Sequence, residues 1–156
     1  MSFLPRDDFA QVVRNTPLVS IDLVVRDEES ERVLVGLRLN RPARGTWFVP
    51  GGIIVKDERI DDAFLRISHV ELGRAIPRRE ASLLGIYEHH YDDNALEIPG
   101  VSTHYVVIAY QLHVSTASLA LPAAEQHERF RWMDVDEIRD DAAVHPNTKA
   151  YFALRS

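Results

Sequence analysis

The stretch that most constrains the fold is GGIIVKDERIDDAFLRISHVELG, residues 51–73. It follows TWFVP, a short apolar run closed by proline and two glycines, so a strand ends there. Asp57 and Glu58 then precede a helical pattern in which Ile60, Phe64, Ile67 and Glu71 share one face. Gly73 supplies the stop. Glu71 is the odd member of that stripe, because a helix C-terminus disfavours an anion. A nearby cation would compensate; a solvated glutamate at the helix edge is the plainer alternative.

The flanking sequence alternates between extended and helical patterns. Asp7 reads as the N-cap of a short helix through Phe9, Val12 and Val13, and Pro17 then opens the extended run LVSIDLVV. Asp27 to Glu31 form a polar turn, after which RVLVGLRL continues as a hairpin partner or neighbouring strand. NRPARG is a loop. Further strands are expected at LLGIYEHHY, THYVVIAYQLHV and RFRWMDV, with short helices at DVDEIRDD and NTKAYFALR. The economical architecture is α+β, a mixed β-sheet sandwiched between α-helices.

With 156 residues and 46% hydrophobic content, the chain can build one substantial core, so residues 1–156 are expected to form a single domain. A formal charge of -6 argues against a polyanion-binding surface, hence against nucleic acid as a partner. There is no cysteine, which removes disulfide and thiolate chemistry and suits a cytoplasmic location. MSFLPRDDFA has early acids and no apolar secretory core, and no apolar run approaches membrane-spanning length, so no membrane association is expected.

The segment 51–73 resembles the Nudix box, G-x5-E-x7-R-E-U-x-E-E-x-G-U with U aliphatic. Gly52, Glu58, Arg66, Glu71 and Gly73 fit it, whereas Ile67 and Val70 stand where two metal-binding glutamates would be. Ser68 and Arg74 replace the two aliphatic positions. With NRPARGTWFVPGG before it, and HHYDDN, STHYVV and EQHERFRW after it, the chain resembles the GDP-mannose mannosyl hydrolases, a variant Nudix hydrolase family whose box is short of glutamates. The likeness runs from FLPRDDF to NTKAYF. It implies the Nudix fold and hydrolysis of a nucleotide sugar, GDP-mannose or GDP-glucose, to GDP and free hexose. The resemblance further implies attack of water at the anomeric carbon with inversion, where ordinary Nudix enzymes attack phosphorus.

The resemblance also assigns residues. One Mg²⁺ per subunit, with Mn²⁺ as a substitute, would be held by the backbone carbonyl of Gly51, by Glu71 and by the side-chain oxygen of Gln126, an oxygen donor set that suits a hard cation. His127 matches the general base, an imidazole that titrates near neutral pH, and His89 matches a histidine assisting at the site. Arg38 matches a nucleotide-contacting arginine, Arg66 the box arginine and Tyr105 a phenol donor near the diphosphate. Arg66 also stands four residues after Asp62, which offers a surface helix pair instead.

Asp22 lies in an otherwise apolar strand, where an unpaired buried carboxylate would be costly; an arginine partner or an outward orientation would relieve it. Phe3, Leu4 and Phe9 match positions that help bind the nucleotide, across the interface of a homodimer; ordinary packing is the alternative for each. Two departures stand out. Ile53 replaces an arginine directed at the diphosphate, with Arg41, Arg44 and Lys56 as candidate compensators, and Glu88 and His90 replace a glutamine and an aromatic residue. Two other functions stay open: a Nudix pyrophosphohydrolase attacking phosphorus, and a nucleotide-sugar-binding protein with little catalysis.

Overall fold

Apolar alternation and tight turns set up a mixed sheet in the computed structural model, which describes residues 3–121 and 127–154, with backbone alone at 127–129. The LVSIDLVV run becomes β1 (Leu18–Asp27) and RVLVGLRL becomes β2 (Val33–Arg38), antiparallel neighbours with Arg26 opposite Val33. The turn between them is pinned by Asp27, whose carboxylate accepts from the Ser30 amide at 2.9 Å and from the Thr116 hydroxyl at 2.6 Å. Those bonds, Thr116's first, hold the Asp27 carboxyl well below the usual carboxylate range.

Two short strands follow, β3 (Trp47–Phe48) and β4 (Gly51–Ile53), then helix α2 (Ile60–Leu72), β5 (Ser82–Tyr91), β6 (Thr103–Val114) and β7 (His127–Met133). The main path of the seven-stranded sheet runs β3-β2-β1-β6-β5, with β4 also paired to β1 and β7 to β2. Only β1 and β6, in register from Leu18–Tyr105 to Asp27–Val114, are described as a parallel pair. Helix α1 (Arg6–Asn15) precedes the sheet, and α3 (Val135–Asp140) and α4 (Pro146–Lys149) follow it. This is the expected α+β arrangement.

Alternation along β1 sends side chains into two cores. Ile21, Leu23 and Val25 join Phe64, Ile67 and Leu72 of α2, while Val24 joins Met133, Ile138 and Phe152 on the other side. Full burial of such side chains contributes about 1.5–3 kcal/mol each. The predicted stripe of α2 holds at Phe64, Ile67 and Glu71, but Ile60, at the first helical position, is 39% exposed. Gly73 caps the helix in the left-handed region at φ 70°, as expected. At the N-terminus, α1 starts at Arg6 after Pro5, and Asp7 sits in the first turn rather than at the cap. That position still places its charge at the positive end of the helix dipole.

Candidate active site

The β1–β4 pairing and the C-terminal half of α2 frame a cavity of about 560 Å³. Gly51 lies opposite Asp22 of β1, and Gly52 lies opposite Ile21. A Cβ on Gly51 would come within 2.3 Å of Asp22 Oδ1, and one on Gly52 within 3.1 Å of Ile67. The glycine pair therefore lets strand, carboxylate and helix meet without intervening side chains. Arg66, Ile67, Val70 and Glu71 of α2 all line the cavity. Ile67 is also part of the core, whereas Val70 is half exposed.

Arg66 does not use Asp62. Its Nε and Nη2 donate to both carboxylate oxygens of Glu58, at 2.8 and 2.9 Å, and Nη2 also donates to the Ile53 carbonyl at 2.7 Å. A closer partner with fork-to-fork geometry wins over a helix-surface pair. The arginine lowers the pKa of Glu58, and Glu58 accepts from the Val55 amide at 3.1 Å. Two box residues, Glu58 and Arg66, thus lock the loop 54–59 against α2.

Asp22 is buried, and its first partner is a phenol rather than an arginine. Tyr151 Oη donates to Asp22 Oδ2 at 2.5 Å and lies 3.3 Å from His89 Nε2. Burial pushes the Asp22 carboxyl up to about 7 against the opposing pulls of Tyr151 and Arg38, and the Glu71 charge raises it further. His89 is pushed down to about 4, mostly by burial and then by the charges of His145 and His90, so its imidazole is neutral near pH 7. Burial, followed by Asp22, raises the Tyr151 pKa. Phenol, carboxyl and neutral imidazole form one buried polar chain at the cavity wall.

Arg38 lines the same cavity with its Nε buried and without a hydrogen-bond partner among the described residues. Its guanidinium lies 5.9 Å from the Phe48 ring centre. Tyr105 and Tyr91 face each other edge to face at 6.0 Å, and burial raises both pKa values, keeping both phenols protonated. An arginine nitrogen awaiting an acceptor, beside two phenol donors, suits an anionic oxygen-rich ligand.

The cavity brings together Asp22, Arg38, Gly51, Arg66, Glu71, His89 and Tyr105 from the expected set, with Phe3 and Phe9. Phe3 lies 5.9 Å from the Arg66 guanidinium. Leu4 is 50% exposed and does not line the cavity. Gln126 lies outside the described residues, as does the His127 side chain; the His127 backbone pairs with Arg38 across β2 and β7. The cations considered in place of an arginine at Ile53 are engaged elsewhere: Arg41 with Asp93 and Glu97, Arg44 with Glu97 and Lys56 with Asp57. Among the described residues, the cavity's cationic side chains are Arg38 and Arg66.

Tyr151 and Tyr91 were not singled out from the sequence. NTKAYF marked the region of Tyr151, but no local spacing connects it to Asp22, 129 positions away. A buried carboxylate in β1 signals the need for a partner without saying which residue supplies it.

A central mixed sheet, a glycine pair leading into α2 and a polar cavity at their junction describe the Nudix architecture. The NUDIX domain model matches residues 16–154, and the chain belongs to that family. It is 40% identical over 129 residues to the low-salt glycan biosynthesis protein Agl8 of Haloferax volcanii, covering 82% of this chain and 78% of that one. Among solved structures, a MutT NUDIX hydrolase from Burkholderia pseudomallei superposes with a TM-score of 0.69 at 25% identity, over 88% of this chain and 97% of the other. The MutT protein of Methanosarcina mazei Go1 gives 0.68 at 18% identity, over 88% and 92%. Nudix hydrolases act on nucleotide-type small molecules and generally use divalent metals. No helix among the described residues is long and apolar enough to cross a membrane.

The cavity's oxygen donors fit a hard cation. Glu71 and Asp22 are close enough for the charge of Glu71 to raise the Asp22 pKa, and Gly51, which packs directly against Asp22 for want of a Cβ, lines the cavity with them. A divalent cation would relieve that like-charge repulsion.

Proposed function

We propose that this protein hydrolyses a GDP-hexose, GDP-mannose first and GDP-glucose as a second candidate, to GDP and free sugar by attack of water at the anomeric carbon with inversion. The observation carrying this reading is the α2 face toward the cavity, where Glu71 is accompanied by Ile67 and Val70 rather than by further carboxylates. Attack at phosphorus in Nudix boxes draws on charge-clustered metals; attack at carbon needs a base beside the sugar and a means of meeting the charge on departing GDP. The glycan-biosynthesis name of the Haloferax relative supports a sugar-linked substrate.

In this reading Glu71, the Gly51 carbonyl and Gln126 would hold Mg²⁺ or Mn²⁺, which would supply positive charge to meet the negative charge of the leaving diphosphate. The Arg38 guanidinium donates to a nucleotide oxygen, and Tyr105 donates its phenol proton beside it. Arg66 keeps the Ile53 carbonyl and Glu58 in place while facing the diphosphate. His127 takes the proton from the attacking water, and neutral His89, braced by Tyr151, assists at the sugar. Asp22 keeps Oδ1 directed toward Gly51 while Oδ2 is held by Tyr151, which orients the polar wall of the sugar subsite. Phe3 and Phe9 pack on the nucleotide, and Leu4 contributes from the partner copy of a cytoplasmic homodimer.

The deciding experiment is hydrolysis of GDP-mannose with Mg²⁺ in ¹⁸O-labelled water. GDP and mannose carrying the label at C1, with the inverted anomer formed first, are expected. GMP with mannose 1-phosphate would place the attack at phosphorus, and tight binding without turnover would make the protein a nucleotide-sugar binder; either result overturns the proposal.

A further inference from the structure

The reverse side of β5 carries a second cluster of ligand-type side chains. Tyr91 and His89 line the cavity, so strand alternation turns Glu88 and His90 to the opposite face. His104 of β6 pairs directly across from His90, and the two imidazoles stack with ring centres 4.2 Å apart and planes 24° from parallel. Glu88 Oε2 lies 3.5 Å from His90 Nε2. One ligand atom from each of Glu88, His90 and His104 lies within 4.8 Å of the others. Among the described residues this is the group of three His or acidic side chains with metal-ligand spacing, and it shares no residue with the cavity.

We propose that Glu88, His90 and His104 form a surface site for a borderline transition-metal cation, Zn²⁺ in the first instance, separate from the hydrolytic cavity. Two imidazole nitrogens and one carboxylate oxygen select zinc-type ions over the hard magnesium ion. Tetrahedral zinc with bonds of about 2.0–2.1 Å places its ligand atoms roughly 3.3–3.4 Å apart. The Glu88–His90 pair is already near that spacing, and both side chains are exposed and free to close the remainder. His104 Nε2 is buried without a hydrogen-bond partner among the described residues, so its ring has an unmet polar requirement. Three protein ligands leave a fourth position for water. The ion would clip β5 to β6 at the register that carries His89, Tyr91 and Tyr105 on the other face.

The site is tested on the full-length protein after removal of metal with chelator. Zn²⁺ is titrated calorimetrically in excess Mg²⁺, and Co²⁺ is followed by its visible absorption. The expected result is one saturable equivalent per chain, weakened about tenfold or more in both His104→Ala and His90→Phe. His113→Ala, which removes a surface histidine paired with Glu31, should leave it unchanged. Zn²⁺ should also raise the wild-type melting temperature but not that of the two site variants. Absence of a saturable equivalent in wild type, or its persistence in both site variants, overturns the proposal. So does equal weakening by His113→Ala. None of these readouts depends on turnover of a nucleotide sugar.

Discussion

Asp22 sits in a strand whose neighbours are apolar, and its chemistry is set by a residue from the far end of the chain. Its carboxyl is raised from 3.8 to about 7 in the ligand-free fold. The unfolded chain therefore loses this proton first, and Asp22 makes the fold less stable as pH rises between those two values. His89 acts in the opposite sense: lowered from 6.5 to about 4, it stays neutral while the unfolded imidazole protonates, so its contribution is lost as pH falls across that interval. Comparison with Asp22→Asn isolates the carboxyl. The unfolding free energy of metal-free wild type relative to Asp22→Asn, read by chemical denaturation, should fall between pH 4.5 and 8 by at most about 4 kcal/mol. Parallel curves would show that Asp22 ionises normally. Arg38 allows a second residue-scale test: Arg38→Ala should weaken GDP binding by about 10- to 100-fold, as expected for loss of a charge-assisted hydrogen bond. Unchanged affinity by calorimetry would remove Arg38 from the nucleotide site.

Helix α2 was readable in advance because its period, its glycine stop and its box residues agree with one another. The partner of Arg66 was not. Asp62 is nearer in sequence, yet loop 54–59 folds Glu58 back to meet both guanidinium nitrogens. Glu58→Gln removes that charge-assisted fork at a pair whose Glu58 side chain is 8% exposed, and should cost about 1.5–3 kcal/mol in chemical denaturation. A loss no larger than that of Asp62→Asn would return Arg66 to a surface role. Gly73 is a second element-scale test. Its φ is 70°, and an added Cβ would lie 1.8 Å from the Ala120 carbonyl oxygen, so Gly73→Ala must move backbone as well as adopt a strained conformation. It should destabilise by more than about 1 kcal/mol, the cost of the left-handed conformation alone.

At the scale of the molecule, the cavity exists because β1 stands between β4, β2 and β6, which bring Gly51, Arg38 and Tyr105 to the same side as α2. Metal dependence is a property of the assembled cavity, since the proposed ligands come from separate elements. Chelation should abolish hydrolysis and Mg²⁺ should restore it, and Glu71→Gln should raise the Mg²⁺ concentration needed for half-maximal rate; an unchanged requirement would exclude Glu71 as a ligand. Sedimentation should give twice the 17.8 kDa chain mass if the dimer proposal holds. The α+β class, the α2 helix, the polar turn at Asp27 and the reduced box were all legible in the sequence, because each depends on local periodicity or on residue types at short spacing. Asp22 and Glu71 stood out as carboxylates on otherwise apolar faces, whereas Arg66 and His89 could be named as site candidates only through likeness to a family. What the tertiary structure alone decided was who meets whom: Tyr151 with Asp22, Glu58 with Arg66, and His90 with His104 on the reverse face. The histidine pair follows from the register of β5 on β6, the Glu58–Arg66 fork from the fold-back of loop 54–59, and the Tyr151–Asp22 bond from packing of the C-terminal segment against β1, none of which local periodicity encodes.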